Sequence, residues 1–139
     1  MTTIPTTHFG RFATGLTLGA GSGALFLGVG GRLVMHAFAL ATARPGSFTL
    51  PGSLNVVFAG AIAGAIGGLL FAAIERFMPQ RLWLRGVLFA ALCYLIATPG
   101  FRPMQPLVFL LFLPTFFGYG VVLALAWERV IRSRRLTSA

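Results

Sequence analysis

From Leu54 to Ile74 the chain carries no charged residue, and from Pro103 to Trp127 it again carries none. Runs of that length have few structural solutions. At about 1.5 Å per residue, roughly twenty helical residues cross the ~30 Å hydrocarbon layer of a bilayer. In lipid, each backbone N–H must find its carbonyl within the segment, which favours helix. Two further apolar segments, one ending near Ala43 and one from Arg81 to Ala97, complete a set of four. The rest of the chain agrees: 57% of the 139 residues are hydrophobic and 9% charged, whereas a soluble domain carries about a quarter charged residues. So small a polar inventory cannot cover a fold in water. The sequence therefore predicts an all-α polytopic membrane protein, a single domain over 1–139. Its helices are expected at about 10–43, 54–78, 81–97 and 107–131, arranged as two helical hairpins.

Proline and glycine mark the joints. Pro45, Gly46, Pro51 and Gly52 place a loop after helix 1, with Ser53 or Asn55 as the cap of helix 2. Pro79 stops helix 2, and Pro99-Gly100 stops helix 3. Pro103, Gln105 and Pro106 extend the next loop. Pro114, Gly118 and Gly120 predict a bend in the first half of helix 4. Ala41-Thr42-Ala43 has the small-x-small look of a signal-peptidase site, but the preceding run is too long and is interrupted by Arg32. It is expected to be a membrane helix. Met1 to His8 reads as a frayed polar tail.

Ala43-Arg44-Pro45-Gly46 matches Ala97-Thr98-Pro99-Gly100, and Ala73-Ile74-Glu75-Arg76 matches Ala126-Trp127-Glu128-Arg129. The matched pairs have nearly equal offsets, which suggests that the two hairpins are a parallel internal repeat about an axis along the membrane normal.

Small residues recur every four positions: Gly15, Gly19 and Gly23 in helix 1, Gly60, Gly64 and Gly68 in helix 2. Four residues is just over one helical turn, so each set forms a ridge without side chains. Such ridges let backbones approach closely, which is how helices associate in lipid. The further glycines Gly28, Gly30 and Gly31 predict a kink before Arg32.

The net charge of +9 arises entirely from arginine, since there is no lysine. In a soluble chain this would point to nucleic acid. Here the arginines gather at segment ends, so membrane orientation explains them and no nucleic-acid partner is expected. Arg11, Arg76, Arg81, Arg85, Arg129, Arg132, Arg134 and Arg135 fall on one side; Arg44 and Arg102 fall on the other. The positive-inside rule then places both termini in the cytoplasm, with Trp83 and Trp127 in the aromatic belt at that face. The expected location is a bacterial inner membrane.

Arg32 is the one charge expected within the bilayer, and an intramembrane ion is a functional candidate by default. His36 follows one turn later on the same face. Arg32 would meet helix carbonyls, a lipid phosphate, a cofactor or a partner's carboxylate, or else snorkel to headgroups. His36 could ligate a single pigment, although a packing histidine is commoner. Glu75 with Arg76, and Glu128 with Arg129, read as interfacial charge pairs at cytoplasmic helix ends; a proton- or cation-linked site is the sharper alternative. Cys93 stands alone in an apolar run. No metal set, nucleophile motif or phosphate loop is present in the sequence, so no catalytic residue is nominated and no cofactor is indicated by motif.

The run Pro51-Gly52-Ser53-Leu54-Asn55, after Gly30-Gly31-Arg32, resembles the fluoride-channel family, whose members also place four helices in a small chain. The Thr/Phe/Ser-rich motif that carries conduction in that family has no counterpart between Thr98 and Pro106, so that function is not transferred. The whole chain more closely resembles a family of small four-helix membrane proteins of bacteria. The shared features are Gly31-Arg32, Phe48-Thr49-Leu50, the Gly60/Gly64/Gly67 helix, Arg85-Gly86 and Glu128-Arg129. That family brings no activity with it.

Two functions fit this reading. One is a non-catalytic accessory subunit that packs through its glycine faces against a larger respiratory, photosynthetic or transport complex, or against itself. The other is a small homo-oligomeric transporter or channel with an anion path at Arg32 and His36.

Overall fold

A computed structural model describes residues 8–44, 49–101 and 105–137. Phe48, the Pro45-Gly46 half of the repeat, Arg102, Pro103 and the first seven residues lie outside that range, as does the side chain of Arg135. The described chain is all-helical, and four helices are long and apolar enough to cross a membrane. They are α1 (His8–Ala41), α2 (Leu50–Ile74), α3 (Leu82–Ala97) and α4 (Pro106–Thr137).

The first hairpin is built on glycine. A Cβ added at Gly15 would lie 2.5 Å from the Gly68 carbonyl oxygen, and one at Gly23 equally close to that of Gly60. Gly19 sits between them, against Gly64 and Gly68. The two predicted ridges therefore face each other, antiparallel and backbone to backbone. Where a kink was expected, α1 instead turns as a π-helix from Ala24 to Gly30. The reason lies in the spacing. After Gly15, Gly19 and Gly23 the next contact residue is Gly28, five positions on, and the wider turn keeps it against the Val57 backbone. The buried hydroxyls of Thr14 and Ser22 donate to carbonyls one turn back, Gly10 and Leu18, and so need nothing from α2.

The second hairpin has its own close approach. A Cβ on Gly120 would stand 2.7 Å from both the Gly86 carbonyl oxygen and the Ala90 Cβ. Gly118 faces the Phe26 ring of α1, and Gly30 faces Thr115. The helix-4 glycines are thus contact points, and α4 continues through Pro114 as one helix.

Several expected boundaries move. Helix 2 begins at Leu50, with Thr49 at its N-cap and Pro51 in its first turn, because proline suits a position whose N–H has no helical acceptor. Ser53 is not a cap; its hydroxyl donates back to the Thr49 carbonyl. Helix 4 extends past Ile131 to Thr137, so the basic tail is helical and Glu128-Arg129 is interior to α4. Glu75, by contrast, opens a 3-10 turn that ends the second helix. The other repeat match diverges too: Ala43 has φ of 52°, whereas Ala97 stays right-handed at −77°. Among the described residues the two matches therefore diverge at Ala43 against Ala97 and at Glu75 against Glu128.

Trp83 is 71% exposed, but Trp127, expected in the same belt, is 2% exposed. Because α4 runs on for further turns, Trp127 falls within the bundle. Its ring meets Phe71 at 5.7 Å edge to face, and Phe71 meets Phe89 at 5.0 Å. With Tyr119 and Leu123 these rings form the main core, which ties α2, α3 and α4 together near Glu75.

Candidate functional site

Toward the opposite end the two hairpins do not close. A cavity of about 770 Å³ lies between α2 on one side and α3 and α4 on the other, floored by α1. Val56, Ala59, Ala63 and Ile66 form its α2 wall; Cys93, Ile96 and Ala97 face it from α3. Between Val56 and Leu70 the wall extends about 21 Å at the helical rise. Phe101, just past the 3-10 turn that ends α3, stacks on Phe112 at 5.0 Å and closes one corner. The polar groups along the walls are satisfied internally: Tyr119 donates to the Gly64 carbonyl at 2.8 Å, and Thr115 to the Phe112 carbonyl at 2.6 Å. The interior therefore offers hydrocarbon contact and makes little hydrogen-bonding demand on an occupant. Sites for small apolar ligands fall in the range of about 300–1,000 Å³.

Arg32 and His36 lie one turn apart on α1, both partly buried. Arg32 donates through Nε to the Ser53 hydroxyl at 3.3 Å. One Nη lies beside Gly52, 3.7 Å from where a Cβ would stand. Gly52 precedes Val56 by one helical turn, so the guanidinium sits at the rim of the cleft. Neither Arg32 nor His36 lines the cavity itself. Arg32 also stands beside the first turn of α2, where the helix dipole is positive and Thr49 provides no side-chain cap.

The two acids sit at the other end, and their partners are not the adjacent arginines. Glu75 pairs with Arg11 of α1, while Arg76 packs over the Phe77 ring at 4.6 Å. Glu128 reaches Arg85 of α3 at 3.8 Å and Arg132 one turn on at 3.5 Å. Successive side chains on a helix diverge by about 100°, so Glu75–Arg76 and Glu128–Arg129 point apart. Two of these ion pairs connect α1 to the end of α2 and α3 to α4, and the third lies within α4. Among the described residues no cluster of metal-ligating side chains forms.

Reading the sequence brought out Arg32, His36 and the glycine ridges but missed the cleft. The only local trace of it is the column of small side chains Ala59 and Ala63, offset from the glycine ridge. Comparison with protein-family models, with curated proteins and with solved structures finds no match for this chain.

Proposed function

We propose that this chain is a non-catalytic multi-pass membrane protein, an accessory subunit of a larger membrane assembly, whose working site is the cleft between its hairpins. There it takes an apolar guest from the surrounding bilayer. The observation that carries this reading is the cavity of about 770 Å³ with apolar walls and internally bonded polar groups. The glycine ridges support it indirectly: they act as a zipper within the chain, so the α1–α2 hairpin is a firm wall rather than a docking face. In the bacterial inner membrane proposed for it, the arginine distribution favours both termini in the cytoplasm. Arg32 and the cleft mouth then lie toward the outer leaflet.

The test is purification of the full chain in mild detergent, followed by mass spectrometry of what stays bound. A retained apolar molecule or membrane-protein partner, lost when Ala63→Trp fills the cleft, is the expected result. A monomer that retains nothing would sink the reading.

A further inference from the structure

Resting on the cleft as a binding site, we infer that its occupant is an anionic phospholipid, one acyl chain between α2 and α3 and its phosphate at Arg32 beside His36. Three observations combine. The cavity is elongated along α2, about 21 Å from Val56 to Leu70 at the helical rise, which suits a chain lying parallel to the helices. Its interior polar groups are already bonded to carbonyls of the protein, so the buried part of the guest is hydrocarbon. Its rim carries a cation, the Arg32 guanidinium, whose planar fork of donors matches a phosphate. That cation is held one turn of α2 from the wall residue Val56, where its Nε–H meets Ser53.

The opposite end does not fit the same headgroup. Phe71, Phe89 and Trp127 close the cavity there, and the carboxylate of Glu75, paired with Arg11, lies beyond them. The closed ring cluster at that end, with the open rim at Arg32, gives the lipid one orientation. The proposal needs only the charge of Arg32 at the rim, and a phosphate would add to its bond with Ser53.

The experiment is native mass spectrometry of the full chain from micelles containing equal amounts of phosphatidylglycerol and phosphatidylcholine with identical acyl chains. Wild type should retain phosphatidylglycerol on the order of fivefold more, the effect of one cation near an anionic headgroup. Arg32→Gln should bring the two lipids to parity, and Ala63→Trp should reduce both. Equal retention by wild type overturns the anionic assignment while leaving an apolar guest in the cleft. Selectivity that survives in Arg32→Gln overturns the placement of the phosphate. Retention of neither lipid overturns the lipid, and the guest reading falls only if nothing else stays bound. If Arg32→Gln does not fold, wild type decides by cross-linking to phosphatidylglycerol with a photoreactive acyl chain. Labels on Val56 and Cys93 support the proposal, and labels confined to outward residues such as Phe58 and Leu88 overturn it.

Discussion

At the scale of single residues, stability is concentrated where backbones touch. Gly64 is one such case. A Cβ there would lie 2.5 Å from the Gly23 Cα and 3.0 Å from its nitrogen, and neither atom can move without parting α1 from α2. Gly64→Ala is therefore expected to destabilise by roughly 1–3 kcal/mol, the cost of overpacking a tight contact. Gly21, on α1, has nothing within 4 Å of an added Cβ. Gly21→Ala should be neutral or stabilising by up to about 1 kcal/mol, since alanine is the better helix former. Thermal unfolding of both variants in one detergent separates crowding from propensity, and equal effects would refute the contact argument. Ala43 makes the opposite case. Its φ of 52° closes α1 in a region that suits glycine, with the Arg44 N–H returning to the Ala39 carbonyl at 3.0 Å. Ala43→Gly should stabilise by about 1 kcal/mol, by removing the left-handed penalty of a Cβ; a fall in melting temperature would contradict it.

At the scale of helices, what could be read from the sequence depended on how local the signal was. Apolar length and Pro/Gly punctuation located all four helices, and the four-residue spacing of Gly15 to Gly23 and Gly60 to Gly68 identified faces that do meet. The π-turn was not legible, because the step from Gly23 to Gly28 acquires meaning only once Val57 is known to be opposite. Trp127 was misplaced because proximity to Glu128-Arg129 was taken for proximity to a helix end, while α4 continues to Thr137. The ion pairs were misassigned for a related reason: sequence neighbours on a helix point apart, so Glu75 pairs with Arg11 of α1, and Glu128 with Arg85 of α3 and with Arg132 one turn along its own helix. These two pairings differ in environment, and a double-mutant cycle can read that difference. The Glu75 side chain is 15% exposed against Arg11, whereas Arg132 is 74% exposed against Glu128. The Arg11/Glu75 cycle should give a coupling of about 1–2 kcal/mol, and the Arg132/Glu128 cycle no more than about 0.5 kcal/mol. Similar couplings would mean that the α1–α2 ion pair does not help to fix the hairpin.

At the scale of the whole molecule, the cleft is the feature that the sequence hides. All three faces of α2 are apolar: Val57, Gly60 and Gly64 meet α1, Val56, Ala59 and Ala63 meet the cavity, and Phe58 and Ile62 point outward. Since lipid, protein and cavity all accept such side chains, composition cannot tell the three surroundings apart. Closure at one end and opening at the other follow from which helices the large rings bridge: Phe71, Phe89, Tyr119 and Trp127 tie α2 to α3 and α4 at the Glu75 end, whereas the second ring cluster, around Phe101 and Phe116, includes no residue of α2. Which leaflet the cleft serves then depends on orientation, and that is open to direct measurement. Gly100 is exposed, with open space where a Cβ would stand, at the Arg32 end; Ser133 is exposed at the other. In a Cys93→Ala background, Gly100→Cys should react with a membrane-impermeant maleimide applied to intact cells. Ser133→Cys should react only after the membrane is permeabilised. The reverse pattern would invert the protein and assign the cleft to the cytoplasmic leaflet, against the bias of its arginines. Reaction at both sites in sealed cells would mean that no bilayer separates the two ends, and the membrane-spanning reading would fail with it.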